Sequence, residues 1–360
     1  MSAVLLDLTS ADVLGIGHRL SDLTSDVPFT TGVPAVLGEQ PAAPRLARAF
    51  ARRQRAEAGL VARSTLHALW DLLCASATPS HHVLLDAGAY PIAHWATAAA
   101  RQNGAGVDQV THYDAAAFSR AAAAAARTRN RIILVLDGSC PGCGQVAPLE
   151  DIGWVAERYG ALVIVDDTLA CGVLGTAPSM LDPLGVDGVG SSAFTNVISE
   201  RHVTVASLAK AYGAPLTMLT GPAGVVDRLR AGGTRIHCSP SSAADIAAAT
   251  RSLLLERTGL LRLRRRRLAA ITAHLHERLA EAGLAAISGP LPTVAIKLPR
   301  DTALHLHRRL LAAGIRTTVQ GGRCWEGAML AMTMRADLRD SHVERVTAEL
   351  LRFPAWRAAS

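Results

Sequence analysis

Ala161-Leu162-Val163-Ile164-Val165-Asp166-Asp167 runs five apolar residues straight into two carboxylates. A short apolar run without polar alternation reads as a strand buried on both faces. Arg131-Ile132-Ile133-Leu134-Val135-Leu136 repeats the pattern and ends at Asp137. Val83-Leu84-Leu85 ends at Asp86, and Val203-Thr204-Val205 ends near Ser207. Helical patterns separate these runs: Ser64-Thr65 caps a helix to about Ala75, and others span His94 to Gln102, Asp114 through the alanines Ala121–Ala126, and Leu149 to Tyr159. Gly106 to His112 holds a further strand. The alternation predicts an α/β fold with a mostly parallel sheet covered on both faces. Ligands of such sheets bind at the carboxyl ends of the strands, where Asp86, Asp137, Asp166 and Ser207 fall.

Outward from this core the order is looser. Residues 1–35 form an irregular N-terminal segment, and Ala42 to Ala58 is helical and Arg-rich, with Leu60-Val61-Ala62 as a short link. The large domain is expected over 36–230. The remainder, 231–360, is expected to hold a long Arg-rich helix from Ala243 to Ala282 and a smaller α+β domain. Its pieces are Thr293–Leu298, the helix Thr302–Ala313, the strand Ile315–Val319 and the helix Ser341–Arg352.

The 360 residues are 49% hydrophobic and 19% charged, which is the composition of a water-soluble globular protein. No apolar run is long enough to span a membrane, and Asp7 with no basic n-region excludes a secretory leader, so a cytoplasmic protein is expected. Net charge is +7, but aromatics are only 4% and the basic run Arg262–Arg267 sits in a helical pattern. A solvated helix face is expected there rather than a nucleic-acid surface. Cys140-Pro141-Gly142-Cys143 is the one CxxC; with no second CxxC and no His spacing to complete a zinc set, it reads as a tight turn and no metal is expected.

Of the 37 basic residues, only Lys210 and Lys297 are lysines. Arginine serves nearly every generic positive charge in this chain, and arginine does not form imines, whereas lysine does. Lys297 reads as the outward face of the strand Val294–Leu298, but Ser207-Leu208-Ala209-Lys210-Ala211-Tyr212-Gly213 has no simple amphipathic pattern. Lys210 therefore suits a pyridoxal-phosphate (PLP) imine. The other requirements each have a candidate: Asp166 for the pyridine nitrogen, Ser207, Ser64 and Thr65 for the phosphate, and Tyr90 to stack on the ring.

These motifs resemble the α-oxoamine synthase family, typified by 8-amino-7-oxononanoate synthase, among the fold-type-I PLP enzymes near the class I/II aminotransferases. Val163-Ile-Val-Asp-Asp-Thr-Leu-Ala-Cys-Gly-Val-Leu-Gly175 is similar to its V-D-[DE]-A-H-x-x-G-x-x-G segment, and Ser207-Leu-Ala-Lys210-Ala-Tyr-Gly213 to its lysine motif T-x-[SG]-K-[AG]-[FY]-G. Asp137-Gly-Ser-Cys-Pro-Gly-Cys-Gly-Gln-Val-Ala-Pro-Leu149 resembles its D/E-G-x-x-S-M-D-G-D-x-A-P-L loop, His112-Tyr113-Asp114 its H-N-D, and Ala56 to Thr65 the approach to its phosphate turn. The similarity runs from about residue 36 to 350. There are departures: Leu169 replaces a histidine, Tyr90 replaces the stacking histidine, the family's glycine-rich G-S-G-G-S-R segment is not recognisable, and Met329-Leu330-Ala331 stands where the family has an R-L-R carboxylate clamp. Arg323 or Arg335 is the candidate substitute for that clamp.

The resemblance implies a PLP-dependent homodimer that takes an amino acid or amine, with acyl transfer from an acyl thioester as the first expectation. Transamination, Cα–Cβ lyase or β-elimination chemistry, and a non-catalytic PLP-fold partner are the alternatives.

Overall fold

The computed structural model describes residues 5–352 apart from 20, 22, 24–29, 31, 129–130, 198 and 322–323. Its strands are β1 (Leu6–Asp7), β2 (Ala58–Ala62), β3 (His81–Asp86), β4 (Gly106–Val110), β5 (Arg131–Asp137), β6 (Leu162–Asp166), β7 (His202–Ser207), β8 (Thr217–Gly221), β9 (Ala286–Ile287), β10 (Thr293–Leu298), β11 (Ile315–Arg316), β12 (Thr318–Gly321) and β13 (Ala328–Thr333). The large sheet is ordered β2-β8-β7-β6-β5-β3-β4. β7, β6, β5, β3 and β4 run parallel; β8 pairs antiparallel with β7, and β2, at the edge, pairs antiparallel with β8. The α/β, mostly parallel architecture expected from the apolar runs is the one observed.

The two-residue period of a strand sends alternate side chains to opposite faces. In β5, Ile133 and Val135 join Val83, Leu85, Ile164 and Val203 beneath the helices Thr65–Ser76 and Pro91–Gln102. Ile132, Leu134 and Leu136 point the other way, with Leu84, Val163 and Val165, toward Phe118 and Ile152 of the helices Ala115–Ala125 and Leu149–Tyr159. The runs lack alternation because both faces are covered.

The second sheet is antiparallel, ordered β12-β13-β10-β9, with the helices Arg300–Ala312 and Asp340–Leu351 in the same part of the chain. β1 pairs with β11, so the N-terminal segment contributes a strand to the C-terminal region.

Three local expectations are corrected. Leu60–Ala62 is part of β2, paired with β8, and not a link. The helix expected over Ala243–Ala282 is two helices, Ala243–Arg257 and Leu260–Glu281, because Gly259 takes φ +78 between them. The Arg262–Arg267 run is a solvated face only in part: Arg262, Leu263 and Arg267 are exposed, but the run is also tied to the rest of the chain. Arg262 and Arg266 both pair with Asp182, Arg264 donates to the Leu14 and Gly15 carbonyls, and Arg265 is 1% exposed.

Candidate active site

Three neighbouring parallel strands end in carboxylates, and register sets Asp137 beside Asp166. Each accepts local backbone donors. Asp86 accepts from the Gly88 N–H (2.7 Å), the Tyr113 N–H (2.8 Å) and His112 Nδ1 (2.6 Å). Asp137 accepts from the Tyr90 N–H at 3.1 Å and so fixes Tyr90, itself about half exposed, at the start of the helix Pro91–Gln102. The Tyr113 hydroxyl donates to the Asp137 carbonyl at 2.9 Å. Asp166, buried at 8% exposure, accepts from the Thr168 N–H at 3.0 Å, and Thr168 Oγ1 accepts from the Ser207 N–H at 3.0 Å. That pair couples the ends of β6 and β7.

Lys210 sits three residues past the end of β7. The Leu208 N–H donates to the Leu216 carbonyl and the Ala214 N–H back to the Leu208 carbonyl, at 2.8 and 2.9 Å, so the 208–216 loop closes on itself. Gly213 turns it at φ +60. Ala211 and Tyr212 are buried beneath, while Lys210 stays half-buried at the tip. Among the described residues its amine has no hydrogen-bond or ion-pair partner. Ala62, Thr217 and Ser207 form one cross-strand row, and the Thr65 and Thr217 hydroxyls lie 3.3 Å apart. The row brings the start of the helix Thr65–Ser76 beside Ser207. Ser64 caps this helix by accepting from the His67 N–H at 3.3 Å. The Thr65 and Leu66 N–H groups precede the first helical acceptor and make no bond among the described residues.

A pyridine aldehyde phosphate needs an amine, an acid for its ring nitrogen, an anion cradle and a flat neighbour. Lys210, Asp166, the Ser64–Thr65 helix start with Ser207, and Tyr90 lie along one end of the sheet, and an unbonded N–H pair at a helix start is what a phosphate would take up. The donor set fits. Neither of two cavities elsewhere in the chain is lined by Lys210, Asp166 or Ser207.

The carboxylate-clamp candidates fare differently. Arg335 already holds Asp337 (2.9 Å) and the Asp7 carbonyl (2.7 Å), and Arg323 lies outside the described residues. Ala331 is buried in β13 between β10 and β12, and Leu169 is half-buried. The Cys140–Cys143 segment is the expected tight turn, but its thiols face His112 and Cys324. The CxxC was visible in the sequence. His112 and Cys324 lie 28 residues before it and 181 after it, too far for spacing to reveal.

Asp167, beside Asp166, is fully enclosed. Burial pushes its carboxyl up to about 7, against the Ser191 N–H and hydroxyl that donate to it. An acid whose folded pKa exceeds its unfolded value binds more protons folded than unfolded. Its contribution is therefore complete below about pH 4 and lost as pH rises to 7, by on the order of 4 kcal/mol. His202, pulled down to about 4 by burial, drives stability the opposite way. The informative quantity is thus the difference between wild type and Asp167→Asn in urea midpoint from pH 4.5 to 7.5. The variant should gain on wild type steadily as pH rises; parallel curves would rule the assignment out.

A family model described as "Aminotransferase class I and II" matches residues 36–350. A protein of Thermosynechococcus vestitus provisionally named 8-amino-7-oxononanoate synthase is 28% identical, over 96% of this chain and 88% of its own length. The 8-amino-7-oxononanoate synthase of Nitrosococcus oceani is 30% identical over 64% of this chain and 59% of its own. Among solved structures, serine palmitoyltransferase of S. paucimobilis with a PLP–myriocin aldimine superposes with a TM-score of 0.86 at 17% identity, covering 99% of this chain and 89% of that one. The 8-amino-7-oxononanoate synthase of Francisella tularensis superposes with 0.75 at 14% identity, covering 98% and 99%. At these identities the superpositions speak to fold, the large parallel sheet with its antiparallel edge; the family match spans both sheets and every strand-end residue of the candidate site, so the chain belongs to the aminotransferase class I and II family and is a PLP-dependent transferase.

Proposed function

We propose that this enzyme joins an amino acid to an acyl group carried as a thioester, in the manner of an α-oxoamine synthase, with Lys210 as the covalent anchor of PLP. The observation that carries the assignment of residues is the cross-strand row Ala62–Thr217–Ser207, which sets the phosphate-type helix start next to the lysine loop. The names of the relatives support the acyl-transfer chemistry.

When bound, PLP supplies an aldehyde that condenses with amines and a ring that accepts the electron pair released at a substrate's α-carbon. The chain's residues do the rest. Asp166, held by the Thr168 N–H, would pair with the ring nitrogen and keep its proton there. Ser207, Ser64, Thr65 and the helix-start N–H groups would orient the phosphate, and Asp137 fixes Tyr90, which would stack on the ring. Lys210 would hold the cofactor, and its amine, when free, would move a proton at the substrate α-carbon. Leu169 and Ala331 supply no polar atom where related sequences carry His and Arg, so the substrate carboxylate is gripped elsewhere or is absent.

We also propose a cytoplasmic homodimer. No helix of the described residues is long and apolar enough to cross a membrane. The test is product mass analysis of purified, PLP-loaded enzyme given amino acids with and without acyl thioesters, alongside solution mass. Carbon dioxide release with a thioester-dependent ketone product supports the reading. Exchange of the amino group with a keto acid and no thioester dependence replaces it with transamination.

A further inference from the structure

Four potential ligand atoms from three distant parts of the chain meet beside the candidate site. His112 follows β4, the turn Cys140-Pro141-Gly142-Cys143 follows β5, and Cys324 lies between β12 and β13 of the other sheet. Their Nε2 or Sγ atoms all lie within 4.8 Å of one another. Cys140 Sγ and Cys324 Sγ are 3.8 Å apart, and Cys143 Sγ and His112 Nε2 are 3.5 Å apart. A zinc tetrahedron with bonds of about 2.3 Å to sulfur and 2.0–2.1 Å to nitrogen sets two sulfurs about 3.8 Å apart and sulfur and nitrogen about 3.5 Å apart. Both measured edges match.

The surroundings are those of a built metal site. Asp86 is fully buried and holds His112 Nδ1 at 2.6 Å, which turns Nε2 toward the three thiols; a carboxylate behind the imidazole is the usual support of a metal-bound histidine. The Cys140 N–H donates to the Gln145 carbonyl and the Gly144 N–H to the Cys140 carbonyl, both at 2.9 Å, which fixes the turn that carries Cys140 and Cys143. Gly142 leaves room for the fourth ligand, since a Cβ there would stand 3.0 Å from Cys324 Sγ. Gly144 turns the loop at φ +74 where a Cβ would strike the Ser288 carbonyl at 2.2 Å.

We propose that His112, Cys140, Cys143 and Cys324 bind one Zn²⁺ ion. Three thiolates and an imidazole suit zinc by softness and geometry, and four protein ligands close the site, which makes it structural. A disulfide between Cys140 and Cys324 would leave Cys143 and His112 Nε2 facing each other without a role. The ion joins the small sheet to the strand ends of the large one. It also sits next to the candidate active site: Tyr113 stacks on His112 with ring centroids 3.8 Å apart and donates its hydroxyl to the Asp137 carbonyl. Zinc would thus fix the distance between the two sheets beside Asp137.

The test is elemental analysis of full-length, PLP-loaded protein purified without chelator. Wild type and Cys74→Ser, whose sulfur lies outside the cluster, should hold about one zinc per chain. Cys143→Ser and Cys324→Ser should lose most of it while keeping the visible cofactor absorption. Where those variants fail to fold, stripped wild type should take up one cobalt(II) with thiolate charge-transfer and tetrahedral d–d bands. Absence of stoichiometric zinc together with no such cobalt spectrum overturns the proposal. So does zinc retained in both variants, or a Cys140–Cys143 or Cys140–Cys324 disulfide in protein purified under nitrogen. None of these readouts depends on which reaction the enzyme catalyses.

Discussion

Lys210→Ala should lower turnover by about a hundredfold to ten-thousandfold, the range for loss of a positioned proton-transfer group, and should abolish covalent retention of PLP. Two functions fall on one amine, the anchor and the proton carrier, so both are lost together. The fold should survive. Lys210 is at a half-buried loop tip, makes no polar contact among the described residues, and the loop closes through backbone bonds and the buried Ala211 and Tyr212. Lys210→Arg should not rescue, because guanidinium keeps the charge but not the nucleophilic amine. Borohydride reduction of wild type followed by peptide mass analysis should leave the cofactor on the peptide containing Lys210. Lys297, on the exposed face of β10 with its ammonium 4.7 Å from the Trp325 ring, should carry none, and Lys297→Ala should react like wild type. Cofactor fixed on Lys297, or Lys210→Ala within tenfold of wild-type turnover, would refute the assignment.

What the sequence made legible follows from what local pattern encodes. β3, β5 and β6 were evident because burial on both faces erases alternation, and their terminal aspartates marked the ligand end of the sheet. β8, Thr217-Met-Leu-Thr-Gly, is buried throughout yet carries two threonines and a glycine in five residues, too little apolar signal to separate from a turn. β13 is similarly short and was seen only as a motif lacking its arginines. The arginine run was read only in part, for a different reason. Helical periodicity tells which residues share a face but not what lies opposite, and here Asp182, Glu256 and the carbonyls near residue 14 lie opposite. The His112–Cys324 cluster has the same origin: its partners are set by topology alone.

Glu256→Gln should cost about 3–5 kcal/mol of stability, the penalty for leaving a buried charge without its partner. Arg265 and Glu256 are 1% and 4% exposed, and both guanidinium NH groups reach the Glu256 carboxylate. The same groups donate to the Gly172 carbonyl at 3.2 Å and the Val186 carbonyl at 2.9 Å. Arg265 thus clamps two points of the 172–188 loop to the long helix Leu260–Glu281. Against a total stability of typically 5–15 kcal/mol, such a loss is a large fraction, readable as a fall in urea midpoint at unchanged slope. Replacing both residues together, Arg265→Met with Glu256→Leu, should recover much of it, because the cost arises from desolvated charge left alone and not from a missing attraction. A single variant within 1 kcal/mol of wild type, or a double variant as unstable as the sum of its singles, would contradict this account. The clamp also bears on the active site. A Cβ at Gly172 would stand 2.6 Å from Ala211, and the Tyr212 hydroxyl donates to the Gly188 carbonyl at 3.4 Å, so the clamped loop is the floor on which the Lys210 loop rests. Loosening it in Glu256→Gln should therefore speed PLP loss at denaturant concentrations too low to unfold the chain, whereas a substitution on the solvent side of the helix Ala243–Arg257 that carries Glu256, such as Arg257→Gln, should change neither stability nor cofactor retention.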